Sequence, residues 1–285
     1  MLKKPKIIVI LGQTATGKSN LAVKIAKKID GEIISADSRQ VYKGLDIGTG
    51  KITKKEMRGV PHHLLDVANP KKRFTAAEYQ QKSIYAIAEI IKKGKTPIIC
   101  GGTGFYIDAI VKGVVFPNVP SNNKLRKSLS QKSATALFHM LQKLDKERAK
   151  NIDPKNKVRI IRAIEIAKAL GKVPKVTEKA SPYKFIKIGL YLPPEKLKKK
   201  VEKRVKKMFK DGLLNEIKKL KKSGLSNKRF QELGFEYDNP TYEKVVNGTL
   251  QYAKRQMTWF KRDKEIKWFD ASKKINLSFI ALKKD

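Results

Sequence analysis

The segment Gly12-Gln-Thr-Ala-Thr-Gly-Lys-Ser19 constrains this chain more than any other part of its sequence. It fits the pattern G-x-x-x-x-G-K-[ST] of a phosphate-binding loop, with an apolar run at 6–11 before it and an amphipathic run after it. Glycines let several backbone N–H groups point into one concavity, and the following helix adds the positive end of its dipole. Lys18 supplies a mobile positive charge, and the Ser19 hydroxyl can hold a magnesium ion. The loop therefore predicts a protein that binds a diphosphate or triphosphate.

Three short apolar runs, at 7–11, 32–36 and 96–100, predict buried parallel strands. Helical patterns separate them, and the clearest spans residues 76–93. Strands that alternate with helices indicate an α/β fold with a doubly wound parallel sheet. Such sheets bind ligands at the carboxyl ends of their strands. We therefore expect the phosphate loop to meet the polar segments that follow the other two strands.

The pattern changes in the second half of the chain. Residues 121–180 predict helices without a strand, and a further strand follows at 185–192. We expect residues 1–117 and 183–285 to form one phosphate-loop α/β core. We expect residues 118–182 to form a helical domain inserted into that core.

The charge balance favours a polyanionic partner. The chain of 285 residues has 65 Lys and Arg against 26 Asp and Glu, which gives a formal net charge of +39. Nucleic acid is the leading candidate, because each contact with a phosphate releases condensed counterions. The alternative is a lysine-rich solvated surface, since the lysines are spread over every helical segment.

The single cysteine, Cys100, excludes a disulfide within this sequence and is typical of a reducing compartment. It lies in an apolar run, where packing is a more common role than catalysis. No apolar stretch is long enough to cross a membrane, and the N-terminal run is too short for a signal peptide. We therefore expect a cytoplasmic protein. We also expect a monomer, because no heptad pattern or extended apolar stripe remains.

Asp37 follows the second predicted strand at the end that faces the phosphate loop. A carboxylate there can ligate magnesium or act as a general base, or it can cap a turn. Many phosphate-loop nucleotidases carry an acid at the end of a later strand, but here that strand ends in Cys100-Gly-Gly-Thr103. A plain ATPase is therefore disfavoured, and Asp37 is the best-placed carboxylate. Thr103 can donate its hydroxyl into the same cleft or serve as a turn residue.

Arg204 is a charged residue on an apolar helix face. Leu197, Val201, Val205 and Met208 form a stripe at helical spacing, and Arg204 points with them. An inward charge needs a partner, which is either an anion in the site or a buried carboxylate. We favour a diphosphate as that partner over a structural ion pair.

Two further groups of residues leave alternatives open. Asn156, Arg159 and Arg162 share one side of a predicted helix, although such arginines are usually solvated. The segment 251–262 interleaves basic and aromatic residues, which fits contact with nucleic acid. It fits equally a helix that packs its rings inward.

Together these segments resemble the tRNA dimethylallyltransferase (tRNA isopentenyltransferase) family of the bacterial type. The resemblance runs from residue 6 to about residue 270, and Gln13 and Arg39 stand where the family commonly has Pro and Met. Besides the phosphate loop, the matching parts are residues 31–42, 46–49, 59–64 and 101–106, Asn156 with Arg159, Arg162 and Glu165, Arg204 with 212–214, and 252–259.

The resemblance implies transfer of a dimethylallyl group from dimethylallyl diphosphate to N6 of the adenosine immediately 3′ of the anticodon in tRNA. The phosphate loop then holds the isoprenoid diphosphate rather than ATP, in agreement with the missing acid. By the family's pattern, Asp37 takes the N6 proton as general base, and Thr103 helps to position the target. Thr16, Lys18, Ser19 and Arg204, with Mg²⁺ at Ser19, stabilise the departing diphosphate.

The resemblance also assigns residues to each substrate. The implied diphosphate-binding set is Gly12, Gln13, Thr14, Ala15, Thr16, Gly17, Lys18, Ser19 and Arg204. The implied set for the tRNA anticodon stem-loop is Asp37, Ser38, Arg39, Gln40, Thr103, Arg126, Asn156, Arg159 and Arg162.

Three other functions are alternatives to this one. A small-metabolite kinase would use the same loop for ATP, but only the loop favours it. A non-enzymatic RNA-binding protein would explain the charge and leave Lys18, Asp37 and the inward Arg204 without a purpose. A prenyltransferase that acts on free adenine nucleotides would not need the helical insertion or the basic C-terminal helix.

Overall fold

One parallel sheet organises the part of the chain that the structure, a computed structural model, describes, which is residues 4–276. Its strands are β1 (Lys6–Gly12), β2 (Gly31–Ala36), β3 (His62–His63), β4 (Thr96–Gly101), β5 (Lys184–Tyr191) and β6 (Lys267–Asp270). They lie in the order β3-β2-β4-β1-β5-β6, and every neighbouring pair is parallel. The α/β fold with a doubly wound parallel sheet is therefore confirmed.

The sequence of β1 explains its central place. Its residues from Ile7 to Leu11 are all buried, as expected for a strand covered on both faces. Because side chains alternate along a strand, Ile7, Val9 and Leu11 pack into one apolar layer. Ile8 and Ile10 pack into the other layer. Helices on both faces thus close two cores around one sheet.

The helices connect and flank the strands. Their bounds in residues 4–276 are α1 (Lys18–Ile29), α2 (Lys54–Met57), α3 (Ala76–Lys92), α4 (Gly104–Val111), α5 (Asn123–Ser130), α6 (Ala134–Leu144), α7 (Lys146–Lys150), α8 (Lys157–Leu170), α9 (Pro194–Lys210), α10 (Leu213–Lys222), α11 (Asn227–Leu233) and α12 (Tyr242–Phe260). Nowhere in these residues is a helix both long enough and apolar enough to cross a membrane.

The contacts divide the chain into two compact units. The first contains the described residues up to Gly113 and from Ala180, and the second is Val114–Lys179. These divisions lie within four residues of the boundaries expected at 117/118 and 182/183. The second unit packs α5 to α8 around a small core that includes Leu137, Leu141 and Ile160.

The four predicted strands agree with the structure to within one residue at each end. Two strands at the sheet edges were not predicted. β3 contains only the histidine pair, which pairs with Ile33 and Ile34 of β2. β6 is a short segment that pairs with β5. Neither segment is long enough to carry a recognisable period of its own.

A close backbone contact fixes the point where β1 turns into the phosphate loop. Gly12 ends β1 with a φ of +123°, and a Cβ atom there would lie 2.1 Å from the carbonyl oxygen of Leu190 in β5. Only glycine fits both the conformation and the space. Gly94 also has a positive φ, of +71°, but a Cβ atom there would meet nothing within 4 Å.

Replacing the two glycines separates these effects. We expect Gly94→Ala to cost about 1–2 kcal/mol from backbone strain alone, which lowers Tm by about 2–8 °C. Gly12→Ala should lower Tm by at least twice as much, because the new methyl group displaces β5. Thermal unfolding followed by circular dichroism measures both. Equal losses would mean that the contact with Leu190 adds nothing to the strain.

Candidate active site

The phosphate loop joins β1 to α1 and is shaped by its own backbone. Gly17 caps α1 with a φ of 86° and without a side-chain hydrogen bond, so the first N–H groups of the helix face outward. The Thr16 hydroxyl donates to the carbonyl oxygen of Gln13 at 2.7 Å, and Lys18 Nζ donates to the same oxygen at 2.5 Å. This geometry gives the loop N–H groups and a positive charge on one side, which is how a helix N-terminus binds a phosphate.

Two glutamine side chains hold the loop in place. Gln13 Oε1 accepts from the backbone N–H of Leu192 at 3.0 Å, so the residue that stands where the family has Pro has its own structural contact. Gln256 of α12 accepts from the N–H of Thr14 at 2.8 Å and donates to the carbonyl oxygen of Gly102 at 3.0 Å. Gln256 therefore connects the loop, the turn after β4 and the C-terminal helix.

Asp37 lies directly after β2 and both caps a turn and faces the site. Its Oδ1 accepts from the N–H groups of Arg39 at 2.8 Å and Gln40 at 3.2 Å. Thr103 Oγ1 accepts from the N–H of Ser38 at 2.9 Å. The two strand ends are thus joined, and within residues 4–276 no hydrogen bond to the second oxygen of Asp37 is found.

Arg204 of α9 lies inward, as its place on the apolar stripe predicts. Its Nη2 donates to the carbonyl oxygen of Thr49 at 2.9 Å. Burial lowers the pKa of Arg204, whereas the carboxylates of Asp37 and Glu236 act in the opposite direction. No carboxylate forms an ion pair with Arg204 in the part of the chain that is described. The structural ion pair that was the alternative for this residue is therefore absent there.

Two neighbouring cavities form at this edge of the sheet. The loop cavity has a volume of about 120 Å³ and is lined by residues that include Lys18, Ser19, Asp37 and Arg204. The side cavity has a volume of about 300 Å³ and is lined by residues that include Asp37, Arg204 and Glu236. The residues that line both are Thr14, Asp37, Arg204 and Tyr252. A ligand in one cavity would therefore lie beside a ligand in the other.

The predicted loop residues divide into two groups. Those that line the loop cavity are Thr14, Ala15, Gly17, Lys18 and Ser19. Gly12, Gln13 and Thr16 instead hold the shape of the loop, through the backbone contact of Gly12 and the hydrogen bonds of the other two. The Thr16 hydroxyl points to the loop backbone, so its predicted contact with the diphosphate would have to come from its N–H group.

Burial changes the acidity of two groups in these cavities. It lowers the pKa of Lys18 to about 8, an effect that Arg204 adds to and Asp37 opposes. It also raises the pKa of Glu236 to about 7, and the nearby Asp37 carboxylate contributes in the same direction. A bound anion would restore the ordinary acidity of Lys18, because an opposite charge favours the ammonium form.

The predicted tRNA-contacting residues near β2 are partly committed to other contacts. Arg39 Nη2 donates to the carbonyl oxygen of Glu232 at 2.9 Å, and Gln40 Nε2 donates to that of Thr49 at 3.4 Å. Ser38 Oγ accepts from the Thr103 hydroxyl at 3.3 Å. Ser38 and Arg39 nevertheless line the side cavity, and Gln40 lines the loop cavity.

In the second unit, a buried carboxylate organises most of the predicted basic residues. Glu165 is 2% exposed and accepts from Arg126 at 2.7 and 3.0 Å and from Arg162 at 2.6 Å. Asn156 caps α8 by accepting from the N–H of Arg159 at 3.1 Å. Arg159 itself is exposed. Of this set, Arg159 has the side chain that is most available to a phosphate.

The C-terminal segment packs Trp259 and Phe260 inward, as one of the two open alternatives predicts. Phe260 is buried, and the Trp259 ring fills the space that a Cβ atom on Gly104 would occupy. The Tyr252 hydroxyl donates to the carbonyl oxygen of Gly102 at 3.3 Å. Arg255 lines the side cavity and Tyr252 lines both cavities, so α12 presents a basic residue and one ring to the site while Trp259 and Phe260 pack against the core.

Sequence reasoning missed Gln256, Glu236 and Glu216. Gln256 had a readable signal, because it lies on the buried face of α12 at helical spacing from Thr249, Ala253 and Phe260. It is the same signal that identified Arg204. Glu236 lies in an irregular segment, where no period marks the inward direction.

The fold and the two cavities define a phosphate-loop α/β protein with a second binding space beside the loop. The family model for IPP transferase matches residues 40–263 of the chain. The tRNA dimethylallyltransferase of Anoxybacillus flavithermus is 39% identical over 280 residues, which is 93% of this chain and 90% of that protein. The chain belongs to the IPP transferase family, as the resemblance in its sequence predicted.

Solved structures of family members have the same fold. The tRNA isopentenylpyrophosphate transferase of Bacillus halodurans matches with a TM-score of 0.69 and 35% identity, over 94% of this chain and 90% of that chain. A eukaryotic dimethylallyltransferase acting on tRNA matches with a TM-score of 0.76 and 27% identity, over 94% of this chain and 74% of that one.

The raised pKa of Glu236 predicts a pH-dependent gain in stability for Glu236→Gln. The pKa of Glu236 is 4.5 in the unfolded chain and about 7 in the folded protein. The unfolded chain therefore releases this proton more easily, and the fold loses stability as the pH rises between these two values. Glu236→Gln removes that cost, so it should be more stable than the parent by roughly 1–3 kcal/mol at pH 8. The gain should be absent near pH 4.5.

Urea unfolding at pH 4.5 and pH 8 measures this difference. Glu147→Gln is the control, because Glu147 is 78% exposed and its ion pair with Lys150 lies on the surface. The control should change the free energy of unfolding by less than about 0.5 kcal/mol at both pH values. A gain for Glu236→Gln that does not vary with pH would contradict the assignment.

Proposed function

We propose that this protein transfers the dimethylallyl group from dimethylallyl diphosphate to N6 of the adenosine immediately 3′ of the anticodon in tRNA, with release of diphosphate. One observation carries the proposal beyond family membership. A cavity with a phosphate loop adjoins a larger cavity, and Asp37 and Arg204 line both. That arrangement suits a reaction in which a diphosphate leaves from one side and a nucleophile attacks from the other.

The donor would bind with its diphosphate in the loop cavity. The α1 N-terminus, Lys18 and Arg204 supply hydrogen-bond donors and positive charge there. These groups act most strongly as the C–O bond breaks, because negative charge then builds on the diphosphate. The lowered pKa of Lys18 fits a cation that is built to receive an anion.

Magnesium fits the loop cavity as an ion that the substrate helps to hold. No group of three or more His, Cys, Asp or Glu side chains able to hold a metal occurs within residues 4–276. Mg²⁺ commonly takes only one or two protein ligands and completes its shell with water and substrate phosphates. The Ser19 hydroxyl would be the protein ligand, and Asp37 lines the same cavity. When bound, the ion would neutralise charge on the diphosphate.

The acceptor adenine would occupy the side cavity. Chemistry on an exocyclic amine requires a base that is unstacked and turned out of its loop. Tyr252 and Phe235 line this cavity and offer ring surface to a base. Thr103, after β4, and Ser38, after β2, are hydrogen-bonded to each other next to Asp37.

Asp37 would act as the general base. Two backbone N–H groups fix Oδ1, so the other oxygen can accept the proton that N6 loses as its lone pair bonds to the allylic carbon. The electron pair of the broken C–O bond leaves with the diphosphate. Protons and charges then balance without any further reactant.

Binding of tRNA would draw on the basic surface. The net charge of +39 favours a polyanion, and Arg39 and Arg255 line the side cavity itself. Arg159 in the second unit would add a phosphate contact. Arg126 and Arg162 would also contact tRNA while their ion pairs with Glu165 hold them in place. We also propose that the enzyme is a cytoplasmic monomer, and gel filtration of the purified protein tests the monomeric state.

The test of the function uses unmodified tRNA, Mg²⁺ and radiolabelled dimethylallyl diphosphate, with labelled ATP in a parallel reaction. We expect label in tRNA from the prenyl donor without any need for ATP. A tRNA with guanosine at the target position serves as the control and should remain unlabelled. ATP consumption without labelled tRNA would overturn the proposal in favour of the metabolite kinase.

Asp37→Asn should abolish most of the turnover and spare binding. Asparagine keeps an oxygen for the N–H groups of Arg39 and Gln40 but cannot take a proton, so kcat should fall at least ~100-fold. The Kd for tRNA, measured by filter binding, should stay within about 3-fold. Near-normal single-turnover rates would remove Asp37 from the role of base.

A further inference from the structure

A carboxylate of α10 accepts hydrogen bonds from the backbone of one turn and from a tyrosine hydroxyl. Glu216 Oε2 accepts from the backbone N–H groups of Asp46 at 3.0 Å and Ile47 at 2.7 Å. Its Oε1 accepts from the N–H of Gly48 at 3.1 Å and from the hydroxyl of Tyr237 at 2.8 Å. A carboxylate has about four lone-pair positions, and here four donors occupy them.

The turn that Glu216 holds, residues 46–50, packs against the guanidinium of Arg204. The carbonyl oxygen of Thr49 accepts from Arg204 Nη2 at 2.9 Å. A Cβ atom on Gly50 would lie 2.1 Å from the same nitrogen, so the backbone of the turn passes directly against it. Gly48 also packs closely, since a Cβ atom there would lie 2.7 Å from the ring of Tyr237.

This turn is also part of both cavities. Gly48 and Thr49 line the side cavity, and Gly50 lines the loop cavity. Within residues 4–276, Arg204 has the Thr49 carbonyl as its hydrogen-bonded partner and no ion pair. The direction of the guanidinium therefore depends on where the turn lies, and the place of the turn depends on Glu216.

We propose that Glu216 is a positioning residue that aims Arg204 at the diphosphate of the donor by fixing the turn at 46–50. The inference rests on the proposed function for the identity of the donor. Glu216 touches neither cavity and would act only through Thr49 and Arg204. A misplaced guanidinium stabilises the departing diphosphate less, so kcat/KM for the donor should fall while the Kd for tRNA stays the same.

A double-mutant cycle tests this coupling. Glu216→Gln replaces one carboxylate oxygen with an NH2 group, which cannot accept a hydrogen bond. Some of the backbone N–H groups of the turn then lose their acceptor, so the turn loses its shape. We expect kcat/KM for dimethylallyl diphosphate to fall about 10- to 100-fold. In an Arg204→Ala background the same change should cost less than about 3-fold, because the residue it positions is already gone. The Kd for tRNA should not change.

Tyr237→Phe is the matched control. It removes one donor from Glu216 Oε1 and leaves the three backbone N–H bonds to the turn, so kcat/KM should stay within about 3-fold of the parent. If Glu216→Gln proves too unstable to assay, Glu216→Asp, which keeps the charge on a shorter side chain, enters the same cycle. Equal losses with and without Arg204, or a parallel loss of tRNA affinity, would overturn the inference.

The same double-mutant cycle can be measured without catalysis, as the Kd for inorganic diphosphate determined by calorimetry. We expect Glu216→Gln to weaken this binding in the parent and to leave it unchanged when Arg204 is already replaced. Absence of labelled tRNA with the unmodified protein would count against the proposed function alone. Additive losses in diphosphate binding would count against the role of Glu216 alone.

Discussion

The site depends on the close backbone contacts where the central strands end. A Cβ atom on Gly12 would lie 2.1 Å from the carbonyl oxygen of Leu190, and one on Gly101 would lie 2.2 Å from that of Ala36. These contacts bring the ends of β1 and β4 closer to β5 and β2, respectively, than side chains would permit. The N–H of Thr103 then reaches the carbonyl oxygen of Ala36 at 3.0 Å, which brings the turn after β4 beside Asp37.

The electrostatics of the two cavities follow from burial. Lys18 and Arg204 line the loop cavity together with Asp37, and burial lowers the pKa of each cation. Holding two cations close together costs free energy, because like charges repel and burial disfavours the charged form. An anion bound beside them would offset that cost, which supports the proposed place of the diphosphate. The same burial keeps Glu236 partly protonated beside Asp37, which limits the negative charge that a departing diphosphate would meet.

The sequence predicts those parts of the fold and site whose signals are local. The phosphate loop, the buried strands and Arg204 on its apolar stripe each lie within a single element, so spacing alone reveals them. Glu216 was missed because its partners are distant, with 168 residues between it and Gly48. Gln256 has a readable helical spacing, but its partner Thr14 lies 242 residues away, so spacing could not reveal the contact. Arg126 and Arg162 were predicted to contact tRNA, and nothing in the sequence revealed that Glu165 pairs with both. Periodicity tells which way a side chain points, but not which distant group it will meet.

The absence of an acid in the segment after β4 is accompanied by close packing at Gly101 and Gly102. Gly101 has no room for a side chain because of Ala36, and a Cβ atom on Gly102 would lie 2.1 Å from Gln256 Nε2. Backbone therefore excludes a side chain at Gly101, and one at Gly102 would require Gln256 to move. Asp37, directly after the neighbouring strand β2, lines the side cavity as well as the loop cavity. An acid in that place can take a proton from a second substrate as well as face a metal bound with a phosphate. The close packing at the strand ends thus accompanies a carboxylate between two cavities, where the proposed transfer to a bound base needs a proton acceptor.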